Sequence, residues 1–203
     1  MKFQRVAVSI IRSIRQVSLT KEWIRQRVHR PLPKLSAFVV NERTGDSVGL
    51  AVQQVVTEDG KRRFRCEMAG RIVEEANDGP VATLFLDRCL DPKIARAARP
   101  LWEACIDYKL PTYSIIPARD VDGRPVDVEQ LYLPYSSDGE TADFMISMLQ
   151  ACSTEGRFAM RGLLRPGEAQ APYHFAVMID PALVPPKPVR AAAAERAPAE
   201  LEI

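Results

Sequence analysis

Between residues 112 and 149 three stretches rich in β-branched and aromatic residues, at about 112–119, 126–133 and 142–149, are separated by Asp122-Gly123 and Asp138-Gly139. Gaps this short, built on Asp-Gly, reverse the chain and leave no room for a crossover, so the three are predicted to form an antiparallel meander. Alternation lapses at Val128-Glu129-Gln130-Leu131-Tyr132-Leu133, where the apolar set changes face. A bulge or a fully buried strand end accounts for that lapse.

Upstream, residues 48–56 are rich in β-branched side chains and end at Thr57-Glu58-Asp59-Gly60, and in the next stretch Phe64, Cys66 and Met68 alternate with Arg63, Arg65 and Glu67. That pattern predicts a β-hairpin closed by Asp-Gly. After Asn77-Asp78-Gly79-Pro80 the period changes. Ile94, Ala97, Ala98, Leu101, Cys105 and Tyr108 share one helical face, with Asp91 to cap the helix, Pro92 in its first turn and Pro111 beyond its end.

At the N-terminus, Phe3, Ala7, Ile10, Ile14 and Val17 recur at helical spacing and predict a short amphipathic helix. Thr20 can cap a second helical stretch through Trp23, Ile24 and Val28, stopped by Pro31 and Pro33. Eight basic side chains face only Glu22 in the first thirty residues, so about +7 sits there and about −5 over the rest of a chain of net charge +2. Beyond Cys152 a loop and a strand at 173–179 are predicted. From Pro185 onward proline, alanine and charge predict disorder. The expected organisation is a basic helical lead-in at 1–35, a core domain at 36–152, an extension at 153–184 and a flexible tail at 185–203.

The order of lead-in, hairpin, helical middle and meander describes an α+β domain: an open five-stranded antiparallel sheet with helices on one face. Three sets of residues resemble the single-domain PAS family of alphaproteobacterial type. They are Glu22-Trp23-Ile24-Arg25 with Arg30-Pro31, Arg63-Phe64-Arg65 with Ala69-Gly70, and Leu131-Tyr132-Leu133-Pro134 with Ser136, Asp138 and Gly139. The resemblance covers about 21–149 and implies a PAS-like fold with a sensory or protein-interaction role. It carries no ligand residues across.

The chemical inventory argues against catalysis, and no catalytic residue is assigned. His29 and His174 are far apart in the chain, so a nucleophile–histidine constellation would have to be assembled across distant segments. Asp120, Asp122, Asp127 and Glu129 are expected on a solvated hairpin face. Cys66, Cys89, Cys105 and Cys152 lack zinc spacing and are expected as reduced, mostly buried thiols, so no metal site is expected. No phosphate-binding loop is present, and Cys89 lies in Asp87-Arg88-Cys89-Leu90 rather than the Asn-Cys-Arg-Phe-like stretch of flavin photoreceptors. No cofactor is evident; haem through Cys89 or Cys105 is the alternative weighed. Phe85, Cys89, Trp102, Tyr113 and Tyr132 are the candidate pocket residues.

A non-enzymatic sensor or adaptor working through a protein partner is therefore the expected function, with a small-ligand or haem sensor as the alternative. The basic lead-in has three readings, in descending order: dimerisation or domain packing through Phe3, Ala7, Ile10, Ile14 and Val17, attachment to an anionic membrane surface, and nucleic-acid contact. A homodimer is expected. The cytoplasm is the expected compartment, with the membrane periphery as second choice, because no run is long and apolar enough for a span or a signal peptide.

Overall fold

The computed structural model describes residues 3–27, 29–39, 46–164 and 175–183. The hairpin consists of β2 (Leu50–Glu58) and β3 (Lys61–Ala69), and its turn residues Asp59 and Gly60 both take positive φ, as the tightest hairpin turns require. Short helices α2 (Arg71–Asn77) and α3 (Leu86–Cys89) lead to α4 (Pro92–Tyr108), whose cap is Asp91, accepting from the N–H groups of Lys93 and Ile94. The meander is β4 (Thr112–Arg119), β5 (Pro125–Tyr135) and β6 (Phe144–Cys152). With β1 (Arg5–Val6) and β7 (Phe175–Ile179) the sheet order is β1-β7-β4-β5-β6-β2-β3.

The α+β class holds. Within the sheet, the run β4-β5-β6-β2-β3 is antiparallel throughout, with the helical middle inserted between the hairpin and the meander, which is the PAS-like order. It is wider than five strands, because β7 adds to β4 and β1 pairs with β7 in parallel. The strand expected at 173–179 is thus part of the sheet, and residues 173 and 174 lie outside the described residues. The core extends beyond 36–152 for the same reason. Residues 160–164 also tie the extension to α2, where the N–H groups of Gly162 and Leu164 donate to Glu75 and Ala76 carbonyls. The tail at 185–203 lies outside the described residues.

The lead-in departs from the two helical stretches expected, one through Phe3 to Val17 and one capped by Thr20. Phe3 to Ile10 is not helical in its first half: β1 is followed by a 3-10 turn (Val8–Ile10), and only then does α1 (Ile14–Gln26) begin. Its cap is Ser13, whose hydroxyl accepts from the Gln16 N–H, and not Thr20. Thr20 is buried in mid-helix, donating back to the Gln16 carbonyl. The reason is competition: pairing of residues 5 and 6 with β7 satisfies backbone groups that a helix starting at Phe3 would otherwise use. Val28 lies outside the described residues.

The helices cover both faces of the sheet and not one as expected, because α1 crosses the face opposite α4. Gln16 donates to the carbonyls of Glu129 and Met148, and the Trp23 indole N–H donates to the Pro134 carbonyl at 2.7 Å. Trp102 of α4 packs on Tyr132 from the other side. Cover on both faces explains the broken alternation at 128–133: β5 pairs in unbroken register with β4 and β6 and is buried on both sides. The register shift in this sheet lies instead at Val52/Gln53 of β2.

Two of the three residue sets behind the resemblance meet here in space, and the third lies on the α4 face. Trp23 bonds to Pro134, Leu32 after Arg30-Pro31 donates to the Gly139 carbonyl, and Leu35 donates to the Ser136 carbonyl. Ser136 and Asp138 close the intervening turn on themselves: the Ser136 hydroxyl, then the N–H groups of Glu140 and Thr141, hold the Asp138 carboxyl well below the usual range. Phe64 packs edge-on against Trp102. These motifs fasten helix to sheet.

Candidate functional site

Between the sheet and α2–α4 lies a cavity of about 40 Å³, within a recess whose unfilled volume, open mouth included, is about 490 Å³. β2, β3, β5 and β6 supply its floor and the three helices its walls. On the sheet, Gln53, Gln130 and Ser147 sit at inward-facing positions, because Gln130 and Tyr132 alternate with residues that point toward α1. The Gln53 amide donates to the Ser147 hydroxyl at 2.9 Å, and the Tyr132 hydroxyl donates to the Gln130 side-chain oxygen. Burial pushes the Tyr132 phenol far up, opposed only partly by the Trp102 indole nearby.

Of the five candidate pocket residues, Cys89, Trp102 and Tyr132 line this cavity. Phe85 does not: it lies beneath the Arg63 guanidinium, 3.5 Å from carbon to ring centre, outside the lining. Tyr113 does not either. It sits one position out of phase with Tyr132 along the paired strands and therefore faces α1, where its hydroxyl donates to Glu129 at 2.8 Å. Reading the sequence missed Gln53, Cys66, Asn77, Gln130, Ser147 and Met148, and Leu164 from the extension. The available signal was a lone polar residue at the inward phase of an apolar strand, as at Ser147 in Met145-Ile146-Ser147-Met148-Leu149.

The acidic hairpin is less solvated than expected. Asp122 is exposed and pairs with Arg124, and half-buried Asp127 pairs with Arg12, but Asp120 and Glu129 are buried. Burial pulls the Asp120 carboxyl up, and the N–H groups of Ala159, Arg124 and Asp122 more than reverse it, leaving it lowered. Glu129 is covered by α1. Neither faces the cavity, so no carboxylate pair forms there.

The thiols divide by environment. Cys66 and Cys105 are buried, Cys89 is half-buried and Cys152 is exposed. Burial pushes Cys66 and Cys89 from an ordinary 9.0 to about 11, and Cys105 higher still. The cavity thiols are therefore protonated at neutral pH and poor nucleophiles. Alkylation at pH 8 is expected to modify Cys152 first, with Cys66, Cys89 and Cys105 protected until unfolding, as peptide mass mapping would read. Rapid modification of Cys66 would contradict this environment. Because these folded values are raised, the stability they contribute is complete below about 9 and is lost as pH rises through about 11.

The cavity does not fit a large prosthetic group. One water-sized group needs roughly 10–15 Å³ on this measure, so about 40 Å³ takes only a few. A flavin or a haem is far larger, and Cys105, one of the two thiols weighed for haem, lies outside the lining. Among the described residues no helix is long and apolar enough to cross a membrane.

No family model matches the chain, and no curated protein matches it. Among solved structures it is similar to the LOV protein of Rhodobacter sphaeroides at 14% identity and a TM-score of 0.36, and to a variant of RsLOV at 14% and 0.35. Each match covers 55% of this chain and 65% of the other, so the chain spans less than two thirds of the length of those proteins. The PAS-like class rests on the strand order and on the helices between hairpin and meander.

Proposed function

We propose that this chain is a PAS-type sensory or regulatory protein of the bacterial single-domain kind, without catalytic activity of its own, that acts on a protein partner. The observation that carries the reading is the cavity between sheet and helices, lined among the described residues by uncharged side chains, protonated thiols and amides included, rather than by an acid–base or nucleophile constellation. Such a lining suits occupancy and release, not bond chemistry. Filling the cavity with Ser147→Phe, or more mildly Ser147→Val, tests it. Partners crosslinked to the chain in its native host are expected to change severalfold in recovery; recovery indifferent to both variants would overturn the reading.

Self-association through the lead-in belongs to the same proposal, and so does a cytoplasmic location. Phe3, Ala7 and Val17 are half-buried against their own chain, whereas Ile10 is 39% and Ile14 83% exposed beside Arg12 and Arg15. Two protomers paired there would cover both isoleucines and bring two basic arms together, so the dimer is expected to hold or strengthen as salt rises. Light scattering of Ile10→Asp with Ile14→Asp is expected to give a monomer where the wild type gives a dimer. A wild type that is monomeric at all concentrations and salt levels would remove the dimer, and binding to anionic liposomes that falls with salt would favour a membrane surface instead.

A further inference from the structure

We infer that the cavity takes a small uncharged molecule that both donates and accepts hydrogen bonds and carries no more than about one ring. The inference rests on the reading of this cavity as the sensory input and specifies the chemistry that the input must have. Among the described residues, none of the side chains lining the cavity is charged, so an ion entering it would lose its hydration without gaining a counter-charge from them. The lining is not purely apolar either. Among the described residues, the Gln53 and Asn77 side-chain oxygens are buried without hydrogen-bond partners, and the Trp102 indole N–H, beside the Tyr132 hydroxyl, makes no well-formed bond.

The orientation of Asn77 is fixed by its amide N–H, which donates to the Val73 carbonyl at 2.7 Å, and that of Gln53 by its bond to Ser147. The cavity therefore offers two free acceptors, and a donor in the Trp102 N–H that the Tyr132 hydroxyl only partly engages. Each buried polar group left alone keeps its desolvation cost unreturned, which a molecule that pairs with it removes and a hydrocarbon does not. Size is set by the free space and by its outer wall. α3 is held by Asp87 to Arg63 at 2.8 Å and to Arg99 at 3.5 Å, partly exposed ion pairs that contribute little, so this wall can yield to a guest somewhat larger than the closed cavity.

The chain has two tryptophans, which gives a direct readout. The Trp102 indole belongs to the cavity, whereas that of Trp23 is bonded to Pro134 on the opposite face and serves as an internal control. Indole N–H resonances of the full chain are followed during titration with phenol, toluene and benzoate, with Trp102→Phe used to assign the two signals. Phenol is expected to shift Trp102 saturably and leave Trp23 in place, toluene to bind about tenfold more weakly, and benzoate to have no effect. Gln53→Met, close to isosteric, is expected to weaken phenol about tenfold and toluene hardly at all; if it does not fold, the wild-type titration decides by itself. Equal binding of phenol and toluene, or binding of benzoate as tight as phenol, would overturn the inference. So would a cavity that holds only water, with Trp102 unmoved by any of the three. In that case the sensory reading still stands or falls on partner recovery, so the two fail separately.

Discussion

Trp23→Ala is expected to lower stability by about 3–5 kcal/mol, the usual loss for a buried large aromatic, and to lower the melting temperature by roughly 10–15 °C. Trp23 is fully buried and is the deepest anchor of α1 on the sheet. Its ring fills the space between helix and sheet, and its N–H occupies the Pro134 carbonyl at the end of β5. Alanine leaves a cavity and orphans that carbonyl together. The remaining fixings of α1 are the partly buried Val17, Leu19 and Ile24 and polar contacts: Gln16 reaching the Glu129 and Met148 carbonyls, and Tyr135 donating to Gln26 at 3.2 Å. None of these is as large or as fully buried as Trp23, so α1 is expected to gain amide exchange before β5 does. Trp23→Phe keeps most of the ring and is expected to recover about half of the loss. Full stability in the alanine variant would mean that α1 does not hold this face.

Gly70→Val is expected to cost about 3 kcal/mol, at the upper end of what overpacking does, and Gly70→Ala nearly as much. Conformation is not the cause, since Gly70 has φ −80°, which any residue adopts. Space is. A Cβ at this position would lie 2.1 Å from the Ser47 carbonyl oxygen and 2.6 Å from that of Val48, and both are backbone atoms that cannot swing aside. Gly70 is held from its other side as well, its N–H donating to Leu50 at 2.8 Å. It joins the end of β3 to the start of α2, so any shift also moves Asn77 and Val73 at the cavity. Denaturation of both variants, with the Trp102 indole resonance as local reporter, would show loss of stability and a displaced Trp102 signal. Unchanged stability in Gly70→Ala would contradict the close approach of β3 to the 3-10 turn at Asp46–Gly49.

The hairpin, α4 and the meander are legible in the sequence because each is specified locally. Asp59-Gly60 and Asp122-Gly123 place reversals, and Asp91-Pro92 starts a helix whose apolar period buries Ala98, Leu101 and Cys105, although Tyr108 at its end is exposed. The lead-in is not, for a physical reason: a helical spacing through Phe3 and Ile14 competes with pairing to β7, and no local pattern announces a parallel partner so distant in the chain. The same limit governs the site. Tyr113 and Tyr132 look equivalent as aromatics in neighbouring strands, yet strand phase puts one under α1 and the other under α4. Which phase faces which layer depends on α1 reaching across the sheet, a tertiary event. The polar groups that give the cavity its character are single residues in apolar segments, and only their convergence makes them informative.

The most direct test of the central claim, a regulatory protein whose input is a small uncharged cavity, is an absorption spectrum taken together with a native mass on protein purified from its own host. The account predicts only tryptophan and tyrosine absorption, and a mass equal to the chain or a multiple of it, with at most a small adduct that leaves on denaturation. A Soret band, flavin absorption, or an adduct of the mass of either group would contradict it.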